Sequence, residues 1–193
     1  PTPIPTASVI RSEPIYIDIQ GMPFITETFE FPEMSSSITV SYPEDWIVKP
    51  DEFGGFNITN DPDLLEENAD TEIIPEGSVY LLVITFDEEL ISFMVDGDNE
   101  IKSETILDSF VNLFATSEAE EIPEFGDIEI TAINDKPTAI VTGTIDDNEA
   151  IMMIVELEED YVFAFGGTAI GALDDNIDII HAIAGSLTIA DAE

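Results

Sequence analysis

Asp96-Gly97-Asp98-Asn99-Glu100 sets oxygen donors at alternate positions of a turn, the spacing with which a calcium loop begins. Asp96, Asp98 and Glu100 are therefore the candidate Ca2+ ligands. The pattern departs from an EF-hand, because Ile101 stands where the glycine belongs and no Glu occupies the twelfth position. Asp146-Asp147-Asn148-Glu149 and Asp174-Asp175-Asn176 are similar oxygen-rich turns, the latter more simply explained as a helix cap. For each cluster the competing reading is a solvated turn. Diffuse condensation of Ca2+, Mg2+ or Na+ on the whole surface is expected, and no cofactor is required.

The other chemistry-bearing residues give little purchase for catalysis. His181 is the single histidine, set among Ile179, Ile180 and Ile183, and reads as a packed structural residue because a triad has no second candidate base. Cysteine is absent, which removes disulfides, thiolate metal sites and Cys nucleophiles. Paired carboxylates suit a glycosidase-like acid and base, but among 43 acids chance pairs are inevitable. Gly54-Gly55 and Gly166-Gly167 lack the spacing, lysine and helix of a phosphate loop, and read as turn or bulge glycines.

The 43 acids face only four cations, Arg11, Lys49, Lys102 and Lys136, for a formal charge of −39. A globule of this mass exposes on the order of 9,000 Å², so uncompensated charges sit about 15 Å apart against a Debye length of about 10 Å at 0.1 M salt. Self-repulsion of that density points to a salty or cation-rich medium. Nucleic acid and anionic lipid both need clustered Lys and Arg, so neither is an expected partner. With 44% hydrophobic residues interleaved among the acids, the chain is a folded one.

The elements that must position these residues are mostly strands. Period-two alternation marks Pro14 to Ile19 and Phe24 to Phe31 as a first pair, then Ser37 to Tyr42, Phe56 to Thr59 and Ser78 to Phe86, the last extended or followed by Glu89 to Val95. Asn60 to Pro75 is a loop with at most one helical turn at Leu64-Leu65. Ser103 to Ser117 switches to helical spacing, with Ser103 as N-cap and Ile106, Leu107, Phe110, Val111, Leu113 and Phe114 on one broad face. Four more strand-like runs follow, Asp127 to Ile133, Thr138 to Ile145, Ala150 to Leu157 and Tyr161 to Thr168, which form a meander. A second helix spans Asp174 to Gly185, capped by Asp174 and closed by Gly185, and Leu187 to Ile189 is a last strand. This order implies an α+β fold, a mainly antiparallel β-sheet covered by helices in an α/β/α sandwich.

Ile38-Thr39-Val40-Ser41-Tyr42-Pro43-Glu44-Asp45-Trp46 resembles the strand and Tyr-Pro-x-x-Trp turn of the PsbP-like fold, which also includes bacterial DcrB-like lipoproteins and a Ran-binding nuclear-transport factor. A Gly-headed strand from Gly77 to Ile84, the helix before the meander and Ala182-Ile183-Ala184-Gly185-Ser186-Leu187 extend the resemblance over roughly Ser35 to Ala190. It implies that Tyr42, Pro43 and Trp46 form one corner with the indole buried. It also implies a noncatalytic interaction domain, often exported and lipid-anchored in bacteria, with no shared active site. The basic patches with which photosynthetic members dock have no counterpart here.

The N-terminus reads as an extension, residues 1–13, on a single domain, residues 14–193. Pro1-Thr2-Pro3-Ile4-Pro5-Thr6-Ala7-Ser8 is the Pro/Thr-rich kind of stretch that follows a removed signal or lipid anchor, which makes export to the cell surface the expectation. No apolar run approaches the roughly 20 residues of a membrane helix. Val9, Ile15, Ile17 and Ile19 alternate as an added strand would, so the segment is expected either to fill a neighbour's sheet edge or to pack on its own domain. Head-to-tail repetition of the first contact builds a homo-oligomer or filament. The expected function is a non-enzymatic cell-surface interaction module. The alternatives are a monomeric lipoprotein-like binding domain, marked by a sizeable apolar pocket, and a carboxylate-based hydrolase.

Overall fold

The computed structural model describes residues 8–19, 21, 23–31, 36–50, 54–66, 73–86, 91–92, 95, 101–116, 123–145, 147–158 and 160–191. Its strands are β1 (Val9–Arg11), β2 (Phe24–Phe31), β3 (Ser36–Pro43), β4 (Ile47–Pro50), β5 (Gly55–Thr59), β6 (Val79–Phe86), β7 (Glu124–Phe125), β8 (Ile128–Ile133), β9 (Lys136–Ile145), β10 (Asn148–Leu157), β11 (Asp160–Ala169) and β12 (Thr188–Asp191). Among the described residues the longer helices α1 (Ser103–Thr116) and α2 (Leu173–Ser186) interrupt them, with a 3-10 turn at Pro62–Leu65. The large sheet runs β1-β8-β9-β10-β11-β6-β5-β4, with β7 also on β9, and a small sheet runs β12-β3-β2. All these pairings are antiparallel except β1 on β8.

β10 shows why the sandwich closes. Ile151, Met153, Val155 and Leu157 enter one core cluster and Met152 and Ile154 the other, so both faces of this central strand are covered. A strand buried on both sides reads as a continuous apolar run instead of an alternating one. The first face packs against α2, through Ile180 and Ile183, and against the small sheet, through Ile38, Val40 and Tyr42. The second packs against α1, where Phe110 stacks on Phe163 at 4.4 Å between ring centroids. The expected α+β sandwich is what forms, with Phe110, Phe114, Ile180 and Ile183 on the sides of the helices that meet the sheet, whereas Leu113, grouped with the apolar face in the sequence, falls on the outer side of α1 at 60% exposure.

The Tyr-Pro-x-x-Trp corner also forms as read. Trp46 N–H donates to the Pro43 carbonyl at 3.0 Å, and the indole is only 9% exposed within the first core cluster. Tyr42, buried beside it, donates its hydroxyl to Glu27 at 2.6 Å. Burial, then that bond to a carboxylate, pushes the phenol pKa well up.

Several local expectations change. Pro14 to Ile19 does not pair with β2, whose partner is β3. It runs beside β8 instead, and the sheet already begins at Val9, inside the segment assigned to the extension. Ile91 and Ser92 are helical, and Val95 N–H donates to the Ile91 carbonyl at 3.0 Å, so these described residues of the Glu89 to Val95 stretch do not continue β6. Gly166 and Gly167 lie within β11, where their missing side chains make room for neighbours: a Cβ on Gly166 would meet Ile151 Cγ2 at 2.8 Å and Leu81 Cδ1 at 3.3 Å. Gly185 does not terminate its helix by a left-handed turn. It lies within α2, and a Cβ there would meet Ile133 Cγ2 at 2.7 Å and Asn134 Nδ2 at 2.8 Å, so glycine lets the helix end settle on the β8–β9 turn.

The caps differ as well. Ser103 is the first residue of α1, and its N–H donates to Glu156 Oε1 of β10 at 3.0 Å. α2 is preceded by Ala172, and Leu173 N–H donates to Glu149 Oε2 of β10 at 2.8 Å, which displaces Asp174 from the capping role. Carboxylates next to helix N-termini are favourable because orphan N–H groups concentrate partial positive charge there.

Candidate interaction surfaces

The N-terminal segment lies on the edge of its own large sheet. Val9, Ile10 and Arg11 pair with Ile128, Glu129 and Ile130, and Ile15 bridges Ile133 in the same parallel sense. Ser12 N–H donates to the Ile130 carbonyl at 2.9 Å, Ile15 N–H to the Ala132 carbonyl at 2.7 Å and Asn134 N–H to the Ile15 carbonyl at 2.9 Å. Asn134 then brackets Ile17, accepting its N–H at 2.9 Å and donating to its carbonyl at 3.2 Å. Ser8 donates to Asp127, and Tyr16 to Asp135 at 2.9 Å, a bond that raises the phenol pKa.

The side chains are committed far less than this backbone. Val9 is 50% exposed and Ile10 46%, while Ile15, Ile17 and Ile19 are half-buried and only Ile15 of these packs on the core. Of the assembly residues read from the sequence, Val9, Ile15 and Ile17 thus fall on this edge. Among the described residues β1 leaves its outer side unpaired in the sheet order.

Asp96, Asp98 and Glu100, the candidate calcium ligands, lie outside the described residues. Among the described residues no group of three or more His, Asp or Glu is placed to hold a metal ion. Asn148, from the second oxygen-rich turn, is buried and accepts the Ile74 N–H at 2.7 Å. Asn176, from the third, donates to the Ala172 carbonyl at 2.8 Å within the first turn of α2. Both serve the fold.

A cleft of about 900 Å³ opens where the small sheet meets the end of the large one. Its walls are Asp135, Lys136 and Pro137 of the β8–β9 turn, Glu156 to Glu158 and Asp160 of the β10–β11 turn, and Thr188, Ile189 and Ala190 of β12. Lys136 directs its Nζ to the Gly185 carbonyl at the end of α2, and burial lowers its pKa. The sequence reading did not single out these residues. The turn glycine signals were missing there, because Asn134, Asp135 and Glu158 take the positive φ themselves, at 48°, 67° and 57°.

Two further features lie in the interior. An apolar cavity between Ile74, Tyr80, Ile145, Ala150 and Phe165 holds about 180 Å³, below the roughly 300–1,000 Å³ of small-molecule pockets. His181 is buried in α2 at 6% exposure, and its Nε2 has no hydrogen-bond partner among the described residues. Burial lowers its pKa, with Asp178 and Glu129 opposing.

No family model matches the sequence, and no curated protein matches it either. Solved structures do match. The solution structure of cyanobacterial PsbP from Synechocystis sp. PCC 6803 superposes with a TM-score of 0.53 at 11% identity, over 86% of this chain and 92% of that one. The chain has the PsbP-like fold. LpqN of Mycobacterium tuberculosis, described as involved in cell envelope biogenesis, gives 0.49 at 11% identity over 89% of this chain and 94% of its own. The Ran-binding protein Mog1p of Saccharomyces cerevisiae gives 0.45 at 11% over 88% and 97%. At such identity the PsbP-like fold is an architecture, and function has to be argued from surfaces. Among the described residues no helix is long and apolar enough to cross a membrane.

Proposed function

We propose that this chain is a non-enzymatic interaction module of the cell surface or extracellular medium, adapted to high salt, that assembles through its N-terminal strand. The observation that supports this reading is the way β1 is held. Its backbone follows β8 while Val9 and Ile10 remain about half exposed, so little side-chain burial ties the strand to its own copy. The same hydrogen bonds can be made to the β8 edge of a second copy at little cost, which is the condition for strand exchange. Backbone pairing also suits partners that carry the same large negative charge, because it brings amides together instead of carboxylates. The binding-domain alternative is less well supported, since an apolar pocket of about 180 Å³ is small for a ligand.

The test is mass by light scattering in about 1 M salt with Ca2+, for the intact chain and for a chain lacking Pro1 to Ser12. The intact chain should form multimers, and the truncated one should be a folded monomer that binds a peptide of residues 1–19 added in trans. A monomeric intact chain at high concentration, or a truncated chain that still assembles with unchanged affinity, sinks the proposal.

A further inference from the structure

Asn57-Ile58-Thr59 is the one Asn-x-Ser/Thr triplet of the chain, the pattern at which an oligosaccharide is attached to an asparagine amide in exported proteins. It lies in β5, between β4 and β6. Phe56 and Ile58 turn into the first core cluster and are fully buried, so Asn57 faces the opposite side of the sheet. The register sets it in one cross-strand row with Lys49 and Leu82, beside the row of Ile47 and Tyr80. Ile47 is exposed, and Asn57, Tyr80 and Leu82 are half-buried. α1 lies farther along this side, mainly over β8, β9 and β10, and leaves the row of Asn57 open.

The fold uses the two ends of the side-chain amide unequally. Oδ1 accepts the Tyr80 hydroxyl, while Nδ2 has no hydrogen bond among the described residues and, unlike His181 Nε2, is not sealed from solvent. A sugar on Nδ2 therefore leaves the Tyr80 bond in place. Thr59 is in the opposite condition: it is fully buried, and its hydroxyl donates to the Val79 carbonyl at 2.6 Å and accepts the Asp61 N–H at 3.0 Å. The triplet is recognised through that hydroxyl, so attachment has to precede the pairing of β5 with β6. We infer that Asn57 carries an N-linked glycan, added to the extended chain during export. Nδ2 forms a bond to the anomeric carbon of the first sugar, and the bond from that carbon to a polyisoprenyl phosphate carrier breaks with its electron pair left on the phosphate oxygen. Nδ2 gives up one proton, and nothing is oxidised or reduced. In the folded chain the sugar lies over Ile47, Tyr80 and Leu82, where a bulky, hydrated group shields a partly apolar face.

The inference rests on the export proposed above, and the experiment reads the two separately. Its rivals are a bare Asn57 and a sugar O-linked within the Pro/Thr-rich stretch Pro1 to Ser8. The full chain is purified from its native cells, with the surface and medium fractions kept apart from the cytoplasm, and the peptide containing Asn57 is mapped by tandem mass spectrometry. The surface chain should carry a mass increment of whole sugars on Asn57. Asn57→Gln, which keeps an amide oxygen for the Tyr80 hydroxyl, should lose the increment completely, and Thr59→Ser, which keeps the hydroxyl, should retain it. An unmodified Asn57 in the surface chain, or an increment that survives Asn57→Gln, overturns the inference and leaves export standing. A chain confined to the cytoplasm with Asn57 unmodified overturns both. None of these readouts depends on multimers, so assembly through β1 is judged independently.

Discussion

Spread over 11066 Å² of accessible surface, the 39 net charges stand about 17 Å apart on average. Coulomb's law in water gives a pair at that distance about 0.24 kcal/mol before screening. Debye screening cuts this to about 0.14 kcal/mol at 10 mM salt, about 0.05 at 0.1 M, and nearly nothing at 1 M. With about six neighbours per charge the nearest-neighbour repulsion is then on the order of 15, 5 and 0 kcal/mol. The unfolded chain also repels itself, and if it keeps two-thirds of that energy the folded state gains on the order of 5 kcal/mol between 10 mM and 1 M. For a chain of this length each kcal/mol moves the melting temperature by about 2–4 °C, so a rise of 10 °C or more is expected. The assay is thermal unfolding followed by Trp46 fluorescence in KCl, a salt of weak specific effects. A melting temperature that is flat or falls across this range refutes the argument that charge fixes the medium in which the protein works.

Trp46→Ala should destabilise by about 3–5 kcal/mol, because the indole fills the corner between β3 and β4 within the first core cluster; urea unfolding by circular dichroism reads it, and a loss under 1 kcal/mol contradicts the packing. His181 is held neutral by burial, so just below 6.5 the unfolded chain binds a proton that the folded chain does not, and the histidine's share of stability falls as pH falls through that window. The difference in melting temperature between wild type and His181→Leu, which cancels the shared titration of the carboxylates, should therefore shift toward the variant from pH 7.5 to 5, and a constant difference rejects the assignment. Gly166→Ala drives a methyl against Ile151 and Leu81 beneath α2 and should cost about 1–3 kcal/mol by equilibrium unfolding.

What the sequence made legible was the part of the fold that rests on local pattern. Alternation located the meander to within a residue or two, helical spacing located α1 and α2, and the Tyr42 to Trp46 phrase anticipated both the fold and the buried indole. What it hid was nonlocal. Pro14 to Ile19 alternates as a strand should, yet nothing in it says whether the partner is β2 or β8. Ser103 and Asp174 are good caps by type, but Glu156 and Glu149, about 53 and 24 residues away, take the first N–H of each helix. Gly166 and Gly167 look like turn residues because the close approach of Ile151, Leu81 and Ile74 exists only after the sheet has formed. The acidic cleft was equally out of reach, since its walls come from three separated stretches brought together by the small sheet.

The two glutamates of β10 set an order of events. They lie near opposite ends of one strand and serve helices on opposite faces of the sheet. A helix of 14 residues is marginal by itself in water, and each of these two finds its first-turn acceptor only on a strand that must already be straight and paired. Both helices therefore wait on the β9-β10-β11 meander, whose contacts are short in sequence and quick to close. The expectation is that the hairpin pair around β10 forms first, with α1 and α2 docking later and exchanging their amide hydrogens before the meander does.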